Sequence, residues 1–330
     1  MNPKLPQFYF LDVSEMNYPY ANGIINAIDE KILTKVKYAK LAAVDKADFL
    51  HTLITLGYGN GVTFDSLTEI IDKELLNLKH LLEIISPKRK YTDLFYLTYD
   101  AMNLKVLYKE KIFDAPHFEN LSMMGAINPY ILKAFVNENT ENDILPEYRP
   151  WLNQIAAKTK EINNPRRLSA IIDNETFAFV FKAIKYSQYA AMQAYYRSFI
   201  DFRNVITLIR SRALNWDYSA FAEMVIPGGI ISDLVFQTAY NLEYGLLAKA
   251  FQDYYGEKIS INLKKYSIDR NLDRLERNFD GIILDIVKEY RNDAFNIGPI
   301  IYYFLKKVAE ANNIRAIYSG SVEIDDLVGC

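Results

Sequence analysis

Cysteine is almost missing from this chain: 330 residues hold one, Cys330, at the last position. That excludes an internal disulfide framework and any cysteine-built metal cage, and it fits a reducing compartment. Histidine is nearly as scarce, with only His51, His80 and His117. None stands in a Glu-x-x-His pair, and the run from Asp114 to His117 has that spacing only across a proline. A helical metal centre needs two such pairs on facing helices, so metal chemistry is not expected. Glycine (13) and proline (11) are few, and Trp is rarer still at two. With so few breakers among so many helix formers, the expected fold is all-α. The net charge of −3 gives no electrostatic case for nucleic acid or an anionic membrane. The best candidate span, Ile297 to Leu305, is about half the ~20 apolar residues that crossing a bilayer takes. No basic start followed by an apolar run marks a secretory signal, so a soluble, cytosolic chain is expected.

Motifs for chemistry are missing as well. There is no G-x-x-x-x-G-K-[ST] to cradle a phosphate and no nucleophile elbow. "GYGNGV" (57–62) and "IPGGI" (226–230) read as helix boundaries, although the small residues of the second leave room for close approach. Carboxylates are numerous, but no spacing singles out a catalytic pair. No catalytic residue, cofactor or metal is therefore assigned.

What is abundant is helical periodicity. Residues 66–86 place Ile70, Leu75, Leu78, Leu82 and Ile85 on one face behind a cap at Ser66, with Glu69 three residues on. Residues 271–295 do the same with Leu272, Leu275, Phe279, Ile282, Ile283 and Ile286. Only "QFYFLDV" (7–13) reads as a strand. Tyrosine is frequent, at 25, and its apolar ring with a polar tip suits helices flanking a wet groove.

One phrase occurs three times. An acid is followed three residues later by Asn, then by apolar residues: Asp100 and Asn103, Asp201 and Asn204, Glu310 and Asn313. The asparagines stand 101 and 109 residues apart, so three copies of similar length account for nearly the whole chain. Upstream of each phrase lies a long amphipathic helix, preceded by a helix near a turn: "AVDKADFLHTLI", "MGAINPYILKAF" and "PGGIISDLVFQTAY". The expected units are 1–112, 113–213 and 214–330. Acid and Asn three apart share a helix face, and a buried carboxylate needs a partner. The pair is read as a repeated structural lock, with Lys105, Arg203 and Arg315 as candidate counter-charges. The basic clusters Lys88-Arg89-Lys90 and Arg166-Arg167 fall at turns and are candidate contacts for an acidic partner. A sharper reading, three copies of a ligand site, stays open beside the structural one.

Over its full length the chain resembles the C subunits of the A/V-type (V-type) rotary ATPases, prokaryotic relatives of the eukaryotic d subunit. The resemblance is carried by "YPYANGIINAIDEKIL", "YTDLFYLTYDAMNLKVLYKEKI", "YYRSFIDFRNVITLIRSRAL", "VIPGGII" and "NIGPIIYYFLKKVAEANNIRAIYSG". The third copy departs from the others in having Glu310 for Asp, and Ser319 where they have Lys109 and Arg210. The family resemblance implies three similar helical-bundle subdomains around a pseudo-threefold axis, funnel-shaped with a central cavity. It implies a non-catalytic rotor subunit on the cytoplasmic face of the membrane. Its partners would be the coiled-coil central shaft with its small companion and the membrane rotor ring, so that torque passes between ATP hydrolysis and Na+ or H+ transport. Two other classes compete: a helical repeat scaffold, whose usual periods of about 34 to 47 residues are missing, and an α-helical enzyme with a carboxylate site.

Overall fold

The computed structural model describes residues 17–62, 64–116, 121–185 and 189–329, the side chains at 60 and 61 excepted. Among these residues the fold is all-helical, with sixteen α-helices, three short 3-10 turns and no strand. The strand expected at 7–13 lies outside the described residues, as do His117 and Cys330.

Local signals place the long helices. Helix α4 (Leu67–Ile85) starts where Ser66 Oγ accepts from the Glu69 N–H at 3.2 Å, while Glu69 Oε2 accepts from the Asp65 N–H at 3.2 Å. The cap settles the Glu69 N–H, which the first turn leaves without a helical partner, and the returning Glu69 carboxylate fixes the residue ahead of the N-cap. The expected stripe is buried in full at Ile70, Leu75, Leu78, Leu82 and Ile85, each side chain contributing roughly 1.5–3 kcal/mol. Helix α9 (Pro165–Ile184) is capped by Asn164, with Pro165 at a position where no backbone donor is needed. Helix α15 (Leu272–Lys288) buries Leu275, Phe279, Ile282 and Ile283, with Leu272 and Ile286 half-buried at the stripe's margins.

Three further long helices carry the repeated phrase: α6 (Leu97–Phe113), α10 (Ala190–Ala213) and α16 (Gly298–Ser319). Each packs against a long amphipathic helix and a short helix, and α16 packs on α15 as well. Helix α6 lies on α9 and α7 (Pro129–Glu138), and α10 lies on α15 and α12 (Asp233–Tyr240). Helix α16 lies on α4 and α2 (Lys35–Ala42), elements from the opposite end of the chain. Helix α1 (Tyr18–Asp29) also leans on α16, and Asn22 Nδ2 donates to the carbonyls of Ala294 and Asn296 at 2.8 and 3.0 Å. No helix among the described residues is long and apolar enough to cross a membrane.

Candidate functional site

The repeated acids and asparagines grip backbone. Asn103 and Ser122 exchange two hydrogen bonds: Nδ2 donates to the Ser122 carbonyl and Oδ1 accepts its N–H, both at 2.8 Å. Asn204 does the same with Ile226 at 2.8 and 2.9 Å, and Asn313 with Val328 at 2.8 and 3.0 Å. Each amide thus caps a loop strand as another peptide would.

The acids hold the next turn of chain. Asp100 accepts from the N–H groups of Ala126 (2.7 Å) and Ile127 (3.2 Å). Asp201 accepts from those of Ile230 (2.8 Å) and Ile231 (3.1 Å), and from the Tyr255 hydroxyl at 2.5 Å. Glu310 accepts from the Leu33 N–H at 2.6 Å. Ile127, Ile231 and Leu33 hold the same place, one residue before the N-cap of the short helix α7, α12 or α2. The segment in this position of the first copy is therefore 31–42, whereas the linear repeat pointed to "AVDKADFLHTLI" at 43–54.

The glycines of these loops have a steric cause. A Cβ at Gly125 would stand 2.1 Å from Asp100 Oδ1, and one at Gly229 would stand 1.9 Å from Asp201 Oδ1. The carboxylate fills the space a side chain would need. At the third junction the equivalent position is Lys31, and a different set of groups serves the acid. Lys307, one turn before Glu310, donates to Glu310 Oε2 and to Glu74 Oε1, the latter at 3.0 Å.

All three acids are driven toward the neutral form by burial. For Asp100 the two N–H donors and nearby Lys79 only partly offset it, leaving its carboxyl pushed up to about 7. Asp201 is also raised, with the Tyr255 hydroxyl and two backbone donors working against burial. Glu310 is raised less freely, because the Lys307 ammonium opposes burial. Lys307 itself sits above its usual range: burial lowers it, and the Glu310 and Glu74 carboxylates more than compensate.

The cations expected beside these acids lie elsewhere. Lys105 pairs with Asp173 of α9 at 2.5 Å, and Arg203 approaches the same carboxylate at 4.0 Å. Arg315 pairs with Asp72 of α4 at 3.3 Å. Arg210 reaches Glu276 of α15 at 2.5 Å, so Lys105, Arg210 and Arg315 join α6, α10 and α16 to their amphipathic neighbours, while Arg203 joins α10 to α9. The reason is geometric: a charge two or five residues past the acid lies on another face of the helix. The basic clusters are occupied within the chain. Arg89 bonds Glu83 and Asp93, and Lys88 and Lys90 lie over the rings of Tyr189 and Tyr91 at 5.7 and 5.0 Å. Arg167 forks onto Glu223, and Arg166 covers Trp216 at 4.8 Å.

Two further sets of residues were missed by sequence reasoning. Five or six residues ahead of the acids, Phe95, Tyr195, Tyr196 and Phe304 meet. Phe95 lies 5.2, 5.5 and 5.8 Å from the other three rings, and all four are buried. About two turns further along each helix, Met102, Arg203 and Asn312 are exposed at one equivalent position, two residues past the acid. A cavity of about 180 Å3 opens between α10 and α15, with Phe202, Arg203, Arg210, Glu276 and Asp280 among its walls. The second set lies three residues past the donors Leu33, Ile127 and Ile231. There Val36, Tyr130 and Leu234 are 67, 72 and 69% exposed. Binary patterning could not flag Tyr130 and Leu234, since each sits in an apolar run that reads as core, and Val36 between two lysines carries no signal of its own.

Residues 21–323 match the ATP synthase (C/AC39) subunit family. The chain belongs to that family. Among curated relatives, this ATP synthase (C/AC39) subunit is 26% identical over 325 residues to the A-type ATP synthase C subunit of Thermococcus gammatolerans. It is 23% identical over 323 residues to that of Thermococcus onnurineus and 22% identical over 329 residues to that of Pyrococcus horikoshii. In each case the match covers 91% of this chain and 85% of the relative. Such breadth at low identity points to a shared architecture throughout the chain, in a subunit of a rotary ATPase complex. Among the described residues no group of three His, Cys, Asp or Glu side chains could hold a metal ion.

Proposed function

We propose that the chain is a non-catalytic rotor adaptor: a hollow helical collar that receives the central shaft and rides on the membrane rotor ring. It would pass torque between ATP hydrolysis and Na+ or H+ movement from the cytoplasmic face of the membrane. The observation that carries this reading is a packing scheme that recurs three times: α6 on α9, α10 on α15, and α16 on α4. Three such units, drawn together where Phe95, Tyr195, Tyr196 and Phe304 meet, would make the collar. We propose units that begin at the phrase helix: 97–184, 190–288, and 298–319 with 35–85.

The aromatic cluster of Phe95, Tyr195, Tyr196 and Phe304 suits the narrow, closed end of such a collar. The exposed faces of α6, α10 and α16 beyond it suit a wet, polar socket for a coiled-coil tip. Val36, Tyr130 and Leu234 form three equivalent apolar contacts, and a contact repeated about an axis matches a partner that repeats about the same axis. We assign this set to the ring. Stiffness for torque would come from close packing within the bundles.

Co-purification of this chain with the shaft subunits and with the ring tests the reading. Retention of both is expected, together with no ATP hydrolysis by the chain alone. Retention of neither partner overturns it.

A further inference from the structure

The three junctions share one hydrogen-bond scheme but differ in covalent continuity. At the first, the loop gripped by Asn103 at Ser122 runs on to the Asp100 donor Ile127; at the second, the loop gripped by Asn204 at Ile226 runs on to Ile231. At the third, Asn313 grips Val328 near the C-terminal end of the chain, and Glu310 grips Leu33 near the N-terminal end. The two halves of this loop are not joined by a short stretch of backbone. They are brought together by side chains.

We infer that the third junction is a latch: the seam at which the segments around Leu33 and Val328 come off α16 while the other two junctions stay closed. Charge stands in for the missing covalent link. Lys35 Nζ reaches Asp325 Oδ1 at 2.5 Å, tying the start of α2 to the C-terminal segment. Lys306 pairs with Asp29 at 2.8 Å, tying α16 to the end of α1. Lys307 bridges Glu310 and Glu74. The first two of these pairs include exposed groups, so salt weakens them. At the Asp100 and Asp201 junctions the carboxylates are held by backbone donors and the Tyr255 hydroxyl. Lys79, near Asp100, donates to the Met123 and Gly125 carbonyls rather than to that carboxylate. A seam of this kind lets these two chain segments part from α16 while the packing of α16 on α4 holds.

Amide hydrogen exchange on the free full-length protein reads each junction separately. The informative amides are Leu33 and Val328 at the seam, and Ser122, Ile127, Ile226 and Ile231 at the other junctions. Protection at Leu33 and Val328 is expected to be at least tenfold lower, and to fall further on raising salt. The mild variant Asp325→Asn should lower those two by a further few-fold and leave the other four unchanged. Equal protection at all six amides, or a uniform fall of all six with salt, overturns the latch. For the adaptor reading, shaft binding should raise seam protection. Failure of that arm alone would count against the adaptor and leave the latch in the free protein intact.

Discussion

Asp100 and Asp201 close onto glycine-bearing loops of continuous chain, whereas Glu310 reaches across to the far end of the sequence and needs Lys307 to balance it. The same task is solved twice by shape and once by charge. Where backbone runs unbroken through the loop, two adjacent N–H groups turn toward one carboxylate, and glycine clears the space between them. Where the loop is split between chain ends, only Leu33 donates from the backbone, and an ammonium replaces the second donor. The longer reach of glutamate and the loss of glycine at position 31 belong to that same exchange. What the sequence shows as a minor departure in the third copy is a change of mechanism.

The sharpest way to break this contrast is to fill the glycine space. Gly229→Ala should push a methyl into Asp201, combining overpacking with lost charge-assisted hydrogen bonds, for a cost of about 4 kcal/mol. Gly125→Ala should behave alike, while Lys31→Ala should stay within about 0.5 kcal/mol. Thermal and denaturant unfolding of the three variants measures this, and equal costs at all three positions would erase the distinction. Glu310→Gln comes next. It strips the buried Lys307 of its nearer carboxylate and leaves Glu74, so about 3 kcal/mol is expected, at the low end for breaking a buried pair.

Asp100→Asn should cost less at neutral pH, about 1–2 kcal/mol, because a carboxyl titrating near 7 is already partly protonated there. Its signature lies in the pH profile. The folded-state pKa is raised, so the native state binds the extra proton, and the stability this gives is full below about 4 and lost as pH rises through about 7. The stability difference between wild type and Asp100→Asn should therefore shrink as pH climbs through that window. A difference independent of pH from 4 to 8 would show that Asp100 is ionised throughout.

Much of the fold was legible because its signals are local. Ser66 with Glu69 announced the start of α4, and the apolar stripes of α4 and α15 follow from period alone. The acid–Asn phrase was legible as a repeat because spacing along one helix survives in the letters. Its targets were not, since they are backbone groups of whatever residue stands there: Ser122, Ile226 and Val328 share no side-chain chemistry. The cations were misplaced because proximity in sequence was taken for proximity on a face; Lys105, Arg203 and Arg315 point to neighbouring helices instead. Hardest of all was the pairing of Glu310 with Leu33, 277 positions away. A scan for linear repeats cannot see a copy that begins at one chain end and finishes at the other. The paired glycines 125 and 229 were a readable clue, each two residues before an acid's second donor.

The most direct measurement is co-purification of the triple variant Val36→Asp, Tyr130→Asp, Leu234→Asp with shaft and ring, alongside wild type. These side chains are exposed in the free protein, so the variant should fold normally. The adaptor account predicts that it keeps the shaft and loses the ring. A variant that holds the ring as firmly as wild type, or that drops the shaft instead, would contradict it.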